Sequence, residues 1–259
     1  MRQAVATGAP LDAALDVFAI EARARARGRA SDARAPVCAP RFVPSASLPA
    51  GTAYEQYIFD TGNCPTRENL HDFFNGLVWL TFPRIKQQLN ALQAAQIALA
   101  GVGKSRGAAR DGATIFDENS ALLVVRAGLA GEQLVAALRA HGWIEALYER
   151  RAVFGADAEV WLFGHALMEK LVAPRKAITA HTWVVWAGAD YFRLDADARR
   201  DWIDRQVGAA LAEVALNTAC FTPLQVLGVP GWWEAQDEAF YLDTSVFRPK
   251  RAACNRWGD

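Results

Sequence analysis

The sequence predicts an α/β or α+β fold, a single compact domain with a small mixed sheet and several helices, on three observations. Hydrophobic residues make up 52% and charged residues 22% of 259 residues, enough apolar matter for a large buried core and too little charge for a disordered chain. Long stretches at 66–81, 83–101 and 195–216 carry helical apolar spacing. Short β-branched and aromatic runs at 121–125, 159–163 and 177–188 sit between them.

In chain order, residues 11–27 predict a helix, with Leu11, Leu15, Phe18 and Ile20 as its apolar stripe. Residues 28–65 are rich in Ala, Pro, Ser and Arg and predict a loop-dominated segment, with "YEQYIFD" its only strongly apolar patch. The N-terminal 39 residues are therefore expected as a helical and flexible extension, residues 40–250 as the globular domain, and 251–259 as a tail. Limited proteolysis is expected to cut between Arg27 and Arg41. Thr66 is the expected N-cap of the first central helix, and Pro83 suits the first turn of the second.

"VGKSRGAARDG" reads as a loop, and its Gly-Lys-Ser lacks the upstream glycine of a phosphate loop. Residues 113–116 and 121–125 predict a hairpin around Asp117-Glu118-Asn119-Ser120. Residues 131–141 and 143–150 read as helical, His141 ending the first of them. "EVWLFGHALMEKLVAP" predicts a strand over 159–163, a turn at Gly164 and a helix to Val172. The last forty residues, rich in Pro and aromatics, are expected to wrap over the core.

Lys plus Arg and Asp plus Glu both number 28, so no global field favours nucleic acid, and none is expected as a partner. No apolar run reaches the roughly eighteen residues of a membrane span. Asp12, Asp16 and Glu21 interrupt the stretch where a secretory signal would lie. A cytoplasmic location follows as the expectation. The four cysteines, Cys38, Cys64, Cys220 and Cys254, form no CxxC pair, so reduced thiols are expected.

The phrases "NLHDFFNGLVWLTFPRIKQQLNALQ", "IFDENSALLVV", "FGHALMEKL", "KAITAH" and "VLGVPGWW…FYLDTSVFRP" together resemble the bacterial family described as domain of unknown function 3025. They occur in the family's order over about residues 40–250. The resemblance brings no activity with it. Where the family pattern carries an Asn and a second Asp, this chain has Gln236 and Leu242, which puts a catalytic role for these two positions in doubt.

Candidate chemistry lies on three segments. On the first central helix, Leu70, Phe73, Phe74, Leu77 and Leu80 form an apolar face, and Glu68, His71, Asp72 and Asn75 fall opposite with Gly76 and Trp79. A solvated arc seldom pairs His with Trp and Gly, so this one is expected to face protein or a pocket. His165 and Glu169 share i, i+4 spacing, so the acid can orient the ring or both can ligate one ion. Asp117 and Glu118 are either turn residues or pocket acids, and His181 is by default a core histidine bonded to backbone.

The joint expectation is that these clusters converge: His71, Asp72, His165 and Glu169 as catalytic groups, with Glu68, Asn75, Asp117, Glu118 and His181 as binding groups. Imidazole and carboxylate together suit a divalent metal ion, and a metal-assisted hydrolase acting on a small-molecule ligand is the sharpest reading. Two rivals stand beside it. One is a metal-free enzyme with His71 or His165 as general base. The other is a non-catalytic binding or interaction protein, whose polar cluster is a hydrogen-bond network and whose Trp183, Trp186, Trp232 and Trp233 form a docking surface.

Overall fold

Residues 8–29, 39–100 and 108–250 are described in the computed structural model of this α+β chain. In order the elements are α1 (Leu11–Arg29), β1 (Arg41–Pro44), α2 (Tyr54–Thr61), β2 (Asn63–Thr66), α3 (Leu70–Thr81), α4 (Pro83–Ala100), α5 (Ala108–Asn119) and β3 (Ser120–Arg126). They continue as α6 (Leu129–Ala140), β4 (Ala158–Leu162), α7 (His165–Leu171), β5 (Thr179–Ala187), α8 (Ala196–Glu213), β6 (Thr222–Gln225) and α9 (Glu238–Tyr241). Two compact units result. The first comprises Met1–Ser120, Leu162–Val172 and Arg193–Cys220, and the second Ala121–Trp161, Ala173–Phe192 and Phe221–Asp259. Residues 30–38, where proteolysis is expected, the Gly-Lys-Ser at 103–105 and the 251–259 tail lie outside the described residues, as do Cys38 and Cys254.

In the first unit, α1 buries Leu15 and Ala19 among Phe42, Ile58, Cys64 and Trp79. Asp16 fastens it by accepting from Arg23 Nη2 at 3.1 Å and from Phe42 N at 3.2 Å. The described part of residues 28–65 is not loop-dominated. β1 and β2 pair in parallel, Phe42 opposite Cys64, and "YEQYIFD" is helix α2, closed by Gly62 at φ 67°. Thr66 ends β2 rather than capping α3. Asn69 is the cap, its side-chain oxygen accepting from Asp72 N at 2.8 Å. At the start of α4, Asp204 of α8 accepts from Arg84 N and Ile85 N, both at 3.0 Å, and satisfies two amides the helix leaves open.

The expected hairpin is not formed. Residues 113–116 belong to α5, and 120–126 alone are a strand. Packing overrides the local β preference: Ala113, Phe116 and Asp117 are buried on one helical face. Gly112 sits where a Cβ would come within 2.9 Å of the Asn217 backbone. The "VGKSRGAARDG" loop is likewise helical from Ala108 onward.

The second unit carries a four-stranded sheet of order β4-β3-β5-β6, with β5 and β6 antiparallel and Thr179 opposite Gln225. Its core joins Leu123 and Val125 of β3, Leu134 and Leu138 of α6, Leu224, Tyr241 and Phe247. His141 ends α6 in the left-handed region at φ 59°. Gln236 is a structural clamp. Its Nε2 donates to Leu227 O and Val229 O at 2.8 and 2.9 Å, and its Oε1 accepts from Gly231 N at 2.7 Å. Leu242 is exposed. His181 is not a core histidine: it stands on an exposed position of β5, its ring 6.1 Å from that of Phe221.

β4, the turn and α7 follow the sequence reading, but the reason for Gly164 differs. Its φ of −58° is open to any residue. A Cβ there would lie 2.5 Å from Glu118 O and Ser120 N and 2.6 Å from Asn119 N, so the chain passes against the backbone where α5 becomes β3. Gly164→Val should therefore destabilise the protein by about 3 kcal/mol through overpacking. Urea unfolding checks this, and a variant as stable as the parent would mean that the junction yields freely.

Candidate functional site

The polar arc of α3 is its inner side. Asp72, Asn75, Gly76 and Trp79 are buried, whereas Leu70 of the apolar face is 50% exposed. Gly76 admits α1 closely, since a Cβ would lie 2.4 Å from Leu15 Cδ1. A buried amide needs a partner, and Asn75 has two. Its Oδ1 accepts from Lys86 Nζ at 2.8 Å, and its Nδ2 donates to Tyr54 OH at 3.2 Å.

Lys86 of α4 is buried as well, and its Nζ lies 2.6 Å from Asp117 Oδ1 of α5 and 5.2 Å from the Trp79 ring centroid. Burial pushes the Asp117 carboxyl up, but the charge of Lys86 and the hydrogen bond it donates outweigh it and hold the group below the usual range. Around the pair lie groups whose pKa burial raises. The Cys64 thiol, 3.2 Å from Tyr54 OH, is pushed up to about 12, and the Tyr54 phenol is also raised. Glu55 is raised by burial and then by the charge of Asp117, while its carboxylate accepts from Asn90 Nδ2 at 2.6 Å. Neither Cys64 nor Tyr54 is a nucleophile at neutral pH.

The two histidines meet directly. His71 Nε2 and His165 Nε2 are 3.0 Å apart, with ring centroids at 4.4 Å and planes at 81°. His71 Nδ1 lies 3.1 Å from Glu169 Oε2. A carboxylate only accepts, so in neutral His71 the proton sits on Nδ1 and Nε2 carries the lone pair. His165 Nε2 must then be the donor between the rings. That leaves His165 Nδ1 as an acceptor, buried and 3.9 Å from Asp117 Oδ1, although the Asp117 backbone and side chain beside it favour a proton on the ring. Burial pushes His165 down to about 4, helped by Lys86 and His71 against the opposing pull of Asp117.

His71, Asp72, Asn75, Asp117, Glu118 and His165, drawn from α3, α5 and α7, thus line one cleft of about 320 Å³, and all belong to the first unit. Glu169 borders it through His71. Its i, i+4 neighbour His165 is not its partner; the acid reaches the ring on the facing helix instead. Asp72 does not orient His71. It accepts from Arg67 N at 2.6 Å, Nε at 3.1 Å and Nη2 at 2.8 Å. Glu68 lies off the cleft and accepts from Leu11 N at 2.7 Å. His181 belongs to the second unit. A larger cavity of about 580 Å³, lined among others by Ile58, Phe59, Trp79 and Ala91, contains no His, Cys, Asp or Glu. Among the described residues no group of three or more His, Cys, Asp or Glu is arranged to hold a metal ion.

The sequence reading missed Lys86, Arg67 and Arg110. A weak signal for Lys86 existed: α4 carries two cations and no acid of its own, so a buried Lys there must find its counter-charge on another element.

The model of the family described as "Protein of unknown function (DUF3025)" matches residues 40–251. No curated protein and no solved structure matches the chain.

The histidine predicts a pH signature. With a folded value near 4 against about 6.5 unfolded, His165 binds fewer protons in the folded state over that interval. Stability from this group is complete above about 6.5 and lost as pH falls through about 4. The stability difference between the parent and His165→Gln should therefore grow by roughly 3 kcal/mol from pH 4 to pH 7 in urea titrations. A difference that stays flat would show that His165 is not held neutral.

Proposed function

The chain belongs to the DUF3025 family, and we propose that it is a hydrolase of small molecules working by general acid–base catalysis in the His71–His165 cleft. One observation carries this reading: the two Nε2 atoms lie side by side at 3.0 Å, so that one must donate and the other accept. His71, 37% exposed at its side chain, is the ring that substrate and water reach. Its Nε2 takes the proton of an attacking water and returns it to the leaving group as the ester, amide or phosphoester bond breaks, and Glu169 on Nδ1 fixes the tautomer and faces the positive charge that forms in between. His165 stays neutral through burial, and its Nε2–H donates to the oxygen on which negative charge develops. Each ring exchanges its partner ring for substrate as the complex forms, a rearrangement ordinary for unliganded sites.

A second reading has its own support. The two Nε2 atoms converge while each Nδ1 is turned toward a carboxylate, Glu169 or Asp117, as in metal-ligating histidines. In that case the two imidazoles and substrate oxygens would hold a divalent ion, which polarises an acyl or phosphoryl oxygen when bound.

A panel of carboxylic esters, amides and phosphate esters tests the first reading. Turnover should fall at least about 100-fold in His71→Ala and should also fall in Glu169→Gln, with both variants folded by circular dichroism. Elemental analysis of protein purified without chelator or histidine tag separates the readings. A stoichiometric ion lost in both His71→Ala and His165→Ala would move the assignment to the metal. Absence of turnover across the panel, with His71→Ala changing stability alone, would leave a non-catalytic interaction protein.

A further inference from the structure

The cleft's charges do not all cancel. Asp72 is held by Arg67, and Asp117 by Lys86. Arg110 on α5 lines the same cleft, half-buried, and has no hydrogen-bond or ion-pair partner among the described residues. The charged group it feels nearby is Glu55, whose carboxyl is raised by burial and the Asp117 charge and is engaged by Asn90. Half-burying a guanidinium whose N–H groups meet no acceptor, and whose nearby acid is already engaged by Asn90, is unfavourable unless an anion arrives to share it.

Position supplies the second part of the argument. Arg110, Thr114 and Asp117 are spaced i, i+4, i+7, one face of α5, and all three line the cleft. Thr114 therefore offers a hydroxyl donor one turn from the guanidinium, and Asp117 one turn further on leads to His165. The remaining acid of this face, Glu118, lies about 12 Å from Arg110 along the axis, at 1.5 Å per residue. It is thus at the histidine end, and among the described residues the arginine end holds Glu55 alone, already engaged by Asn90. A cleft of about 320 Å³ is the size of a small metabolite.

Building on the acid–base reading, we infer that the substrate carries a terminal oxyanion group, a carboxylate or a phosphate, which Arg110 and Thr114 bind at the end of the cleft away from the reacting histidines. Arg110 is then a specificity-determining residue. A guanidinium with an adjacent hydroxyl matches the two or three acceptor oxygens of such a group, and anchoring it leaves the rest of a short molecule lying along α5 toward His71 and His165.

The test titrates the full chain with sodium phosphate and, separately, sodium acetate at constant ionic strength set with chloride, following the backbone amide of Thr114 and the histidine ring protons by NMR. One of the two anions should shift the Thr114 amide saturably, and which one does so identifies the group. Arg110→Gln should weaken that binding at least tenfold, while His71→Ala should bind within about twofold of the parent. The His71→Ala arm keeps the two proposals apart, because turnover can fail there while anion binding persists. Saturable shifts from neither anion would overturn the inference. So would equal binding by Arg110→Gln, which would mean an adventitious ion only, or loss of binding in His71→Ala, which would place the anion on the histidines.

Discussion

The cleft of the first unit is organised around one buried ion pair, Lys86 with Asp117. It joins α4 to α5 at 2.6 Å and, through Asn75, reaches α3. Desolvation of both ions offsets much of the attraction between them, so the pair is a weak source of net stability but a strong constraint on arrangement. Separating its partners would strand a charge among Trp79, Phe116 and Ala113, all buried. What the constraint delivers is an ionised acid beneath His165 and a cation close behind it. Without Lys86, burial would drive Asp117 toward its neutral form, and His165 would lose the charge opposite its Nδ1.

From that frame two identical side chains acquire different roles. His165, at the start of α7, is buried against Asp117 and kept uncharged. His71, in the first turn of α3, is partly exposed and has Glu169 on its Nδ1. Environment separates the rings, one suited to take up a proton and one to present an N–H. Gly164 makes the meeting possible, because its bare Cα lets α7 begin against the backbone at Glu118, Asn119 and Ser120.

Much of this was legible in the sequence, and the failures have physical causes. The inward arc of α3 was readable because Trp79 and Gly76 beside His71 and Asn75 make a poor solvent face. The strand–turn–helix around Gly164 was readable from a β-branched run that changes to helical spacing. Convergence of residues 71 and 165 follows from the need to satisfy buried polar groups, and the 3.0 Å contact agrees. The hairpin over 113–125 failed because a β-prone Ala-Thr-Ile-Phe run is helical once Ala113 and Phe116 pack on one face. Lys86, Asn90 and Gln93 were passed over because a polar stripe at helical spacing reads as solvated, yet all three are buried. Which acid serves which ring was also beyond local spacing: Glu169 is four residues from His165 but reaches His71 across the helix interface.

The most direct measurement of the account is the tautomer of each ring, read from long-range proton–nitrogen correlations of nitrogen-labelled protein near neutral pH. Opposite tautomers are expected in one molecule: neutral His71 with its proton on Nδ1, and His165 with its proton on Nε2. Matching tautomers, which could not form the bond between the rings, or a charged His165, would contradict it.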